Sequence, residues 1–346
     1  MLNILTGLVI AFFVTVLAMR VLMPRAEMLG LLQTPGGHRR HAQPTPLVGG
    51  LGIFAGLLAG WWLSPGLAPM LPVILAGAVV VVVGVLDDRF QLPHWTRFPA
   101  HILAGWVLVS LGGVALRDLG ALVTEVHAYV GAWSAPLTIF AVVGVINAMN
   151  MSDGMDGLAG SLVLVTSAGL LWLMAGAGDK EGIATLAAFM AAVGGFLAFN
   201  LRVAGRRAAQ AYLGDAGSTL LGVVLAFYLI KLSQGTNAPL RPVTALWLFA
   251  VPLFDAVGSM LRRLGRGRSP FVADERHYHH YLLATGMSVN QVLGMAILAA
   301  VTCGAIGIVG QKTGIPERWM FGGFLALFAA YVMLMEYAEM RLQKHR

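Results

Sequence analysis

The stretch AGAVVVVVGVLDDRF, Ala76–Phe90, is an apolar run that ends on two adjacent aspartates. Similar runs recur along the 346-residue chain, in which 58% of residues are hydrophobic and 11% are charged. A soluble domain carries roughly 25% charged residues, and a helix needs about 20 apolar residues to cross a bilayer. We therefore predict an all-α polytopic membrane protein, a single integral domain over residues 1–346, with eleven transmembrane helices near 2–22, 47–64, 69–86, 98–115, 134–150, 156–176, 182–199, 212–232, 242–261, 290–311 and 317–340.

The distribution of basic residues predicts the orientation of these helices. With the amino terminus outside, in the periplasm, 17 of the 23 Lys and Arg residues fall on the cytoplasmic side, as the positive-inside rule requires. The carboxyl terminus is then cytoplasmic. Because no A-x-A-like site follows the first span and its arginines lie at its far end, we expect it not to be a cleaved signal peptide. Six basic residues remain outside: Arg117, Lys180, Lys231, Arg241, Lys312 and Arg318.

Charge and cysteine content exclude several classes of protein. The net charge of +7 follows from this topology, and no soluble basic domain exists to bind nucleic acid. The single cysteine, Cys303, excludes an intramolecular disulfide and a cysteine-based zinc site. Between the fourth and fifth spans, the alternating LVTEVHAYV in 116–134 predicts a short hairpin on the outer side.

Half of the 16 acidic residues lie at or near the cytoplasmic ends of spans, which predicts a site on that face. Asp87 and Asp88 end the first quoted run, where adjacent carboxylates are costly unless a cation or hydrogen-bond donors compensate them. Arg89 follows directly and is the expected cation. The alternative for a single acid is an ordinary charged helix end, but the tandem pair favours a functional role.

A second polar cluster is NAMNMSDGMDGLAG, residues 147–160. Glycines and a polar turn explain the break between two spans, but not four polar side chains at three-residue spacing. Asp153 belongs to the turn, and Asp156 is placed to cap the next helix, so capping alone could explain it. The spaced residues are Asn147, Asn150, Asp153 and Asp156.

The third cluster, YLGDAGSTLLG at 212–222, places Asp215 between two glycines at the start of a span. Free amides at that helix start predict an anion site, and an adjacent carboxylate suits magnesium. The motif is weak alone and gains weight from sharing a face with the other clusters.

The fourth cluster, RRLGRGRSPFVADERHYHHYLLATG at 262–286, combines arginines with an H-x-H-H pattern. Each arginine alone is adequately explained by contact with anionic lipid headgroups. The histidines match no standard zinc motif, so phosphate contacts fit them better. A similar basic loop, HRRHAQPTPLVGG, precedes the second span, and Asp255 lies in a span that Pro252 should kink, as either a functional group or the partner of an arginine.

In this order, VLDDRF, NAMNMSDGMDGLAG, YLGDAGSTLLG and SPFVADERHYHHYLL resemble the polyprenyl-phosphate N-acetylhexosamine-1-phosphate transferases, most closely the bacterial undecaprenyl-phosphate N-acetylglucosaminyl branch. The resemblance runs from about residue 33 to 290. It implies an enzyme that moves N-acetylglucosamine 1-phosphate from UDP-GlcNAc to undecaprenyl phosphate and releases UMP. The product, undecaprenyl-diphospho-GlcNAc, would begin lipid-linked synthesis of a surface polysaccharide such as O-antigen, at the cytoplasmic face of a bacterial inner membrane.

The resemblance also implies roles for the motif residues. Asp87 and Asp88 match the pair that handles magnesium and the lipid phosphate, Asp215 the principal magnesium ligand, and Asp156 a residue of the nucleotide-sugar motif that we assign a catalytic role. Mg²⁺, which Mn²⁺ can replace, is the implied cofactor, and a homodimer is left open. The residues expected to bind substrate are Asn147, Asn150, Asp153, Arg268, His277, His279 and His280.

Three positions depart from the family pattern. Gln91 replaces a third Asp, Gln33 an Asp before the basic loop, and Trp95 a common Lys. A carboxylate at 91 would lie four residues after Asp87, on the same helical face. These departures affect the expected lipid-phosphate site, and not the class of reaction.

Other functions stay open on the sequence alone. Another UDP-N-acetylhexosamine or UDP-MurNAc-pentapeptide could be the donor, although relatives that use the pentapeptide carry three consecutive histidines, which Tyr278 interrupts here. The displacement could proceed directly or through a covalent aspartyl intermediate. A secondary transporter is the alternative from another class, although no inverted repeat is apparent. A metal- or haem-binding module built on H-x-H-H would leave the aspartates unexplained.

Overall fold

The computed structural model describes residues 2–33, 44–63, 67–203, 205–267, 269 and 277–344, and these are mostly helical. The described helices are α1 Leu2–Leu22, α2 Ala26–Leu29, α3 Gly49–Trp62, α4 Leu67–Phe90, α5 Phe98–Ser110, α6 Ser134–Ser152, α7 Leu158–Ala177, α8 Lys180–Asn200, α9 Gly214–Leu232, α10 Pro242–Leu248, α11 Ala250–Gly265, α12 Tyr278–Ala284, α13 Val289–Lys312 and α14 Glu317–Lys344. Two two-residue strands, β1 Leu32–Gln33 and β2 Thr45–Pro46, pair antiparallel. The predicted all-α class is confirmed apart from this ladder.

Eight helices of the described chain are long and apolar enough to cross a membrane: α1, α4, α6, α7, α8, α9, α13 and α14. The bent pair α10 and α11 makes a ninth if it counts as one span. The remaining two predicted spans form α3 and α5, of 14 and 13 residues. At ~1.5 Å per residue these are about 20 Å long, against a hydrocarbon core of ~30 Å. The chain is a multi-pass membrane protein, and the count of eleven stays a prediction.

The predicted ninth span is bent. The sequence analysis attributed a kink in this span to Pro252, and the bend lies shortly before that residue. α10 ends at Leu248 and α11 starts at Ala250, with an angle of 82° between them. Pro252 falls in the first turn of α11, where a helix has no use for the backbone N–H that proline lacks. The predicted kink in this span is confirmed, and it lies at Phe249, three residues before Pro252. A continuous helix would need the Pro252 N–H for the Leu248 carbonyl, which accepts the Thr166 hydroxyl instead.

Helix α9 lies at the centre of the bundle. Nearly all of its residues are buried, and it packs against α3, α4 and α6. Glycines bring the helices into backbone contact. A Cβ added at Gly84 of α4 would lie 2.4 Å from the Ala216 backbone, and one at Gly50 of α3 would lie 2.3 Å from the Gly217 amide nitrogen. Small residues allow such close crossings in membrane bundles. They hold the amino terminus of α9 against the end of α4.

One end of the bundle is closed by loops that the sequence assigned to the outer face. Gln234, after α9, accepts hydrogen bonds from the amides of Arg117 and Asp118. Gln311, in α13, donates to the Pro239 carbonyl. The 116–134 segment folds back through an antiparallel bridge between Asp118 and Tyr129, which confirms the hairpin, although its pairing is short.

Candidate active site

The end of α4 and the start of α9 meet through Asp88. Its Oδ1 accepts the Asp215 amide at 2.8 Å and its Oδ2 accepts the Ala216 amide at 3.3 Å. A carboxylate at a helix amino terminus satisfies amides that lack a partner within the helix and interacts favourably with the helix dipole. The prediction that these amides are free for an external anion is wrong, because Asp88 caps α9 from another helix.

Asp87 and Asp215 share one cation, Arg97. The Arg97 Nη1 atom lies 2.9 Å from Asp87 Oδ2 and 2.8 Å from Asp215 Oδ1. Asp87 is buried, whereas the Asp215 side chain is 30% exposed and so accessible to a ligand. The expected cation, Arg89, instead places its guanidinium over the Phe90 ring. The three aspartates are brought together as predicted, but the cation beside them is Arg97, which pairs with Asp87 and Asp215 while Asp88 binds the amides of α9.

The first half of the 147–160 cluster joins this centre. The Asn150 side-chain amide donates to Asp215 Oδ1 and to Ser218 Oγ, the latter at 2.9 Å. The Asn147 amide donates to the Val143 carbonyl at 2.7 Å and lies 3.5 Å from His101 Nδ1. Asp153 ends α6 in the turn, as predicted. Asn150 therefore belongs to the aspartate centre, and Asn147 lies one turn deeper in α6.

Asp156 has different partners. Its Oδ2 accepts a hydrogen bond from Arg202 Nε at 2.7 Å and another from the Ala209 amide at 3.1 Å. The expected capping of α7 is wrong, because Gly157 is the N-cap and its amide is bound by Asn200 Oδ1. Asp156 thus ties the 200–211 loop to the α6–α7 turn. These contacts favour a positioning role over the predicted catalytic one.

The H-x-H-H histidines lie together and reach the α6–α7 turn. The rings of His279 and His280 have centroids 4.3 Å apart, and His277 stacks on His279 at 5.7 Å with a 5° interplanar angle. A Cβ at Gly154 would lie 2.2 Å from His279 Nε2, so the imidazole packs directly against this glycine. The histidine cluster therefore adjoins the 147–160 cluster, as the family resemblance implied.

Tyr278, which interrupts the histidines, faces the interior. It is buried in an apolar cluster with Met155, Leu158 and Leu293. Burial, with the nearby Asp255 carboxylate, raises the pKa of the Tyr278 hydroxyl well above its usual range. This side chain stays neutral and anchors α12.

The arginines of the fourth cluster are not simply lipid-facing. Arg262 and Arg263 are buried, and Arg266 makes two hydrogen bonds to Glu339, at 2.9 and 2.7 Å. Asp255 pairs with His277 and not with an arginine in the described contacts. Arg268, the acidic residues Asp274 and Glu275, and the basic loop His38–His41 lie outside the described residues.

Comparison with known proteins identifies the family. Residues 70–233 match glycosyl transferase family 4. The chain is 35% identical over 328 residues to the undecaprenyl-phosphate alpha-N-acetylglucosaminyl 1-phosphate transferase of Yersinia pestis, an alignment that covers 94% of this chain and 90% of the relative. The proteins of the same name from Escherichia coli K12 and Haemophilus influenzae are 35% and 32% identical, over 96% and 94% of this chain and 90% and 91% of theirs.

The chain belongs to glycosyl transferase family 4. The family resemblance drawn from the four motifs is confirmed, and membership makes this chain a transferase. The transporter and the metal- or haem-binding module are therefore set aside.

The three departures from the family pattern have structural settings. Gln33 lies in β1, paired with Thr45, and Trp95 is exposed. Gln91 follows the end of α4 with a φ of +50° and an exposed side chain. Because the helix has ended, residue 91 does not share the helical face of Asp87, and the expectation for a carboxylate there is wrong.

The aspartate centre fits a divalent cation by its donor chemistry. Asp87 and Asp215 place two carboxylates on one guanidinium, and Asp88 binds the backbone amide of Asp215. Among the described residues, no group of three or more His, Cys, Asp or Glu side chains is arranged to hold a metal ion. Mg²⁺, however, usually binds one or two carboxylates together with substrate phosphates and water. Asp215 and Asp87 suit this role. The predicted metal role of Asp88 is less favoured, because both its oxygens already accept amides of α9.

Sequence reasoning missed four residues of the site: Arg97, Arg202, Asn200 and Tyr331. Arg97 had a usable signal, since it is the other basic residue between the aspartate pair and α5. Arg202, Asn200 and Tyr331 make contacts across 43 to 76 residues of sequence. A local sequence pattern does not predict contacts between residues so far apart in the chain.

Proposed function

We propose that this chain transfers N-acetylglucosamine 1-phosphate from UDP-GlcNAc to undecaprenyl phosphate, with release of UMP. The observation that carries the proposal is the contact of Arg97 with both Asp87 and Asp215, at the place where α4, α6 and α9 pack together. Relatives that align over nine-tenths of their length bear the name of this activity. The product, undecaprenyl-diphospho-GlcNAc, would start a lipid-linked surface polysaccharide such as O-antigen.

Phosphoryl transfer needs in-line placement of the reacting oxygens and positive charge around the transferred group. Arg97 supplies positive charge at the centre, and the H-x-H-H imidazoles would supply further hydrogen-bond donors from the side of the α6–α7 turn. Mg²⁺, or Mn²⁺ in its place, would be held by Asp215 with Asp87 and would offset the charge of the diphosphate. Asn150 fixes Asp215 Oδ1, which keeps that carboxylate in one orientation.

A direct displacement suits the acceptor. A phosphate monoester is largely dianionic at pH 7, since its second pKa is about 6. Its oxygen attacks the sugar-linked phosphorus, and the bond from that phosphorus to the UMP oxygen breaks. Asp87 orients the lipid phosphate or takes its remaining proton. Isolation of an aspartyl–phosphosugar adduct in a single turnover would replace this route by a covalent one.

The donor pocket is proposed between the α6–α7 turn and α12. Asn147, Asn150 and Asp153 line one side, and His277, His279 and His280 the other. The contact of His279 with Gly154 brings the two sides together. Arg268 is proposed to bind the diphosphate. In the sequence, Tyr278 stands between His277 and the pair His279 and His280, whereas relatives that use UDP-MurNAc-pentapeptide carry three consecutive histidines, and this supports UDP-GlcNAc as the donor.

The site is proposed to face the cytoplasm of a bacterial inner membrane. The proposed topology assigns 17 of the 23 basic residues to the side of the membrane on which the aspartates lie, as the positive-inside rule requires. This puts the amino terminus in the periplasm and the carboxyl terminus in the cytoplasm after eleven passes, with α3, α5 and the bent pair counted as passes. A homodimer stays a prediction.

The test is UMP release by purified protein given undecaprenyl phosphate, Mg²⁺ and a panel of UDP-sugars. We expect the fastest release from UDP-GlcNAc, and a loss of about 100-fold or more in Asp215→Asn, since one electrostatic contact of a catalytic site is worth ~10²–10³ in kcat. Asp179→Asn is the matched control, because Asp179 caps α8 and asparagine caps equally well. Absence of UMP with every sugar, or full activity of Asp215→Asn, would overturn the proposal.

A further inference from the structure

Asp255 is the most buried carboxyl group of the described residues, at 1% exposure, and the proposed reaction gives it no role. Three donors surround it. His277 Nδ1 lies 2.8 Å from Oδ2, and the Tyr331 hydroxyl and the Tyr278 amide reach Oδ1 at 2.7 and 3.3 Å. A buried carboxylate is costly unless such donors satisfy it. Asp255 therefore acts through its neighbours.

The bond to Asp255 determines how His277 is held. An imidazole whose Nδ1 binds a carboxylate is fixed in one tautomer and one ring orientation. Its Nε2, on the other edge of the ring, then points away from α11. His277 in turn stacks in parallel on His279, which contacts Gly154. By fixing the His277 ring, Asp255 thus also fixes the surface on which His279 stacks beside the α6–α7 turn.

Helix α14 supports this arrangement at two points. Tyr331 holds the second oxygen of Asp255. About two turns further on, the buried Glu339 accepts two hydrogen bonds from Arg266 and one from the Tyr281 hydroxyl at 3.2 Å. Arg266 follows α11 and Tyr281 lies in α12, so Glu339 ties these two elements to the same helix. The motif resemblance stopped near residue 290, before α14.

We propose that Asp255, Tyr331 and Glu339 are positioning residues that hold the H-x-H-H histidines against the α6–α7 turn. Asp255 fixes the His277 ring, Tyr331 fixes Asp255, and Glu339 fixes α12 relative to α11. None of the three touches the substrate. The assignment rests on the proposed function for its effect on catalysis, and on the contacts alone for its effect on the histidine segment.

The first test is a double-mutant cycle on kcat/KM for UMP release. We expect Asp255→Asn to lose about 10- to 100-fold, the cost commonly seen when the carboxylate partner of a functional histidine is changed. If Asp255 acts through His277, the double variant Asp255→Asn/His277→Ala will be no slower than His277→Ala alone. Losses that multiply would contradict this, and His277→Gln replaces His277→Ala if the alanine variant does not fold.

Matched substitutions on α14 separate positioning from general damage to the helix. Tyr331→Phe removes the hydroxyl that binds Asp255, and Tyr337→Phe is its control on the exposed face. Glu339→Gln removes the charge that binds Arg266, and Glu336→Gln is its exposed control. We expect several-fold losses of kcat/KM in the first member of each pair and wild-type values in the second.

Hydrogen–deuterium exchange in substrate-free protein gives a readout that does not depend on the reaction. The Tyr278 amide donates to Asp255, so Asp255→Asn and Tyr331→Phe should speed exchange at the start of α12, while Tyr337→Phe should not. Unchanged exchange in both variants would overturn the positioning role. If wild-type protein released no UMP but showed this exchange pattern, the proposed function would fail and the positioning role would stand.

Discussion

The Arg97 guanidinium is the positive charge that Asp87 and Asp215 share. The sequence predicted that the aspartates would gather, because each ends or begins an apolar run on the same face. It named Arg89 as their cation because Arg89 is adjacent in sequence. Successive residues of a helix project about 100° apart, so adjacency in α4 does not bring Arg89 to the aspartates. Proximity across a loop, which the sequence does not show, brings Arg97 there.

Arg97→Met should separate the role of this charge from that of the side-chain volume. We expect UMP release to fall at least about 10-fold, because a donor at the reacting phosphates is lost. Mg²⁺ should bind the substrate-free protein more tightly, since the cation no longer competes with a guanidinium for the two carboxylates. Tryptophan fluorescence titrated with Mg²⁺ measures the second effect. Arg89→Met is the control, and an equal response from both variants would remove Arg97 from the site.

Asp156→Asn tests whether Asp156 positions the 200–211 loop or reacts. The substitution weakens a pair in which Asp156 is 3% and Arg202 is 24% exposed. Breaking a buried pair costs about 3–5 kcal/mol, and the partial exposure of Arg202 reduces that to roughly 1–3 kcal/mol. We expect a lower Tm in detergent with a smaller loss of activity than in Asp215→Asn. Loss of activity at an unchanged Tm would restore the catalytic role predicted from the sequence.

At the scale of elements, the helices were readable from the sequence and their junctions were not. Apolar runs bounded by Gly, Pro and charged residues gave the positions of the long spans within a few residues. The cap of α9 escaped prediction because it comes from Asp88, more than a hundred residues earlier. The break before α11 was predicted from Pro252, but its exact position was not, because Phe249 carries no local breaking signal.

Gly84→Ala should show how far the site depends on the α4–α9 crossing. The added Cβ would meet backbone atoms of Ala216 at 2.4 Å, and backbone cannot move aside as a side chain can. We expect about 1–3 kcal/mol of destabilisation from overpacking. UMP release should also fall, because Asp88 would be moved away from the α9 amides that it binds. Gly144→Ala, in α6, has nothing within 4 Å of the added Cβ and is the control. Equal Tm values for the two variants would contradict the close crossing.

At the scale of the whole molecule, the predicted two faces of the membrane correspond to the two ends of the bundle. Loops assigned to one face contact one another, as Gln234 does with Arg117 and Arg318 does with Glu125 at the end far from the aspartates. Charge statistics along the chain contained this information. The charge distribution did not show that α3 and α5 are short, because a run of apolar residues does not show where its helix ends.

Thiol labelling tests which end faces outward. Replacing the single cysteine by Cys303→Ala provides a background for Glu125→Cys, on the hairpin, and Arg207→Cys, between α8 and α9; both positions are exposed. A membrane-impermeant maleimide should label position 125 in intact cells and position 207 only after the membrane is opened. The reverse pattern would invert the proposed orientation.

The central claim is that the group transferred to the lipid is the sugar with its phosphate. UDP-GlcNAc labelled with ³²P at the sugar-linked phosphorus, incubated with purified protein, undecaprenyl phosphate and Mg²⁺, reports this directly. We predict that the label enters the organic-extractable lipid while unlabelled UMP appears in equal amount, and that Asp215→Asn yields neither. Label recovered in UDP would show transfer of the sugar alone and would contradict the account.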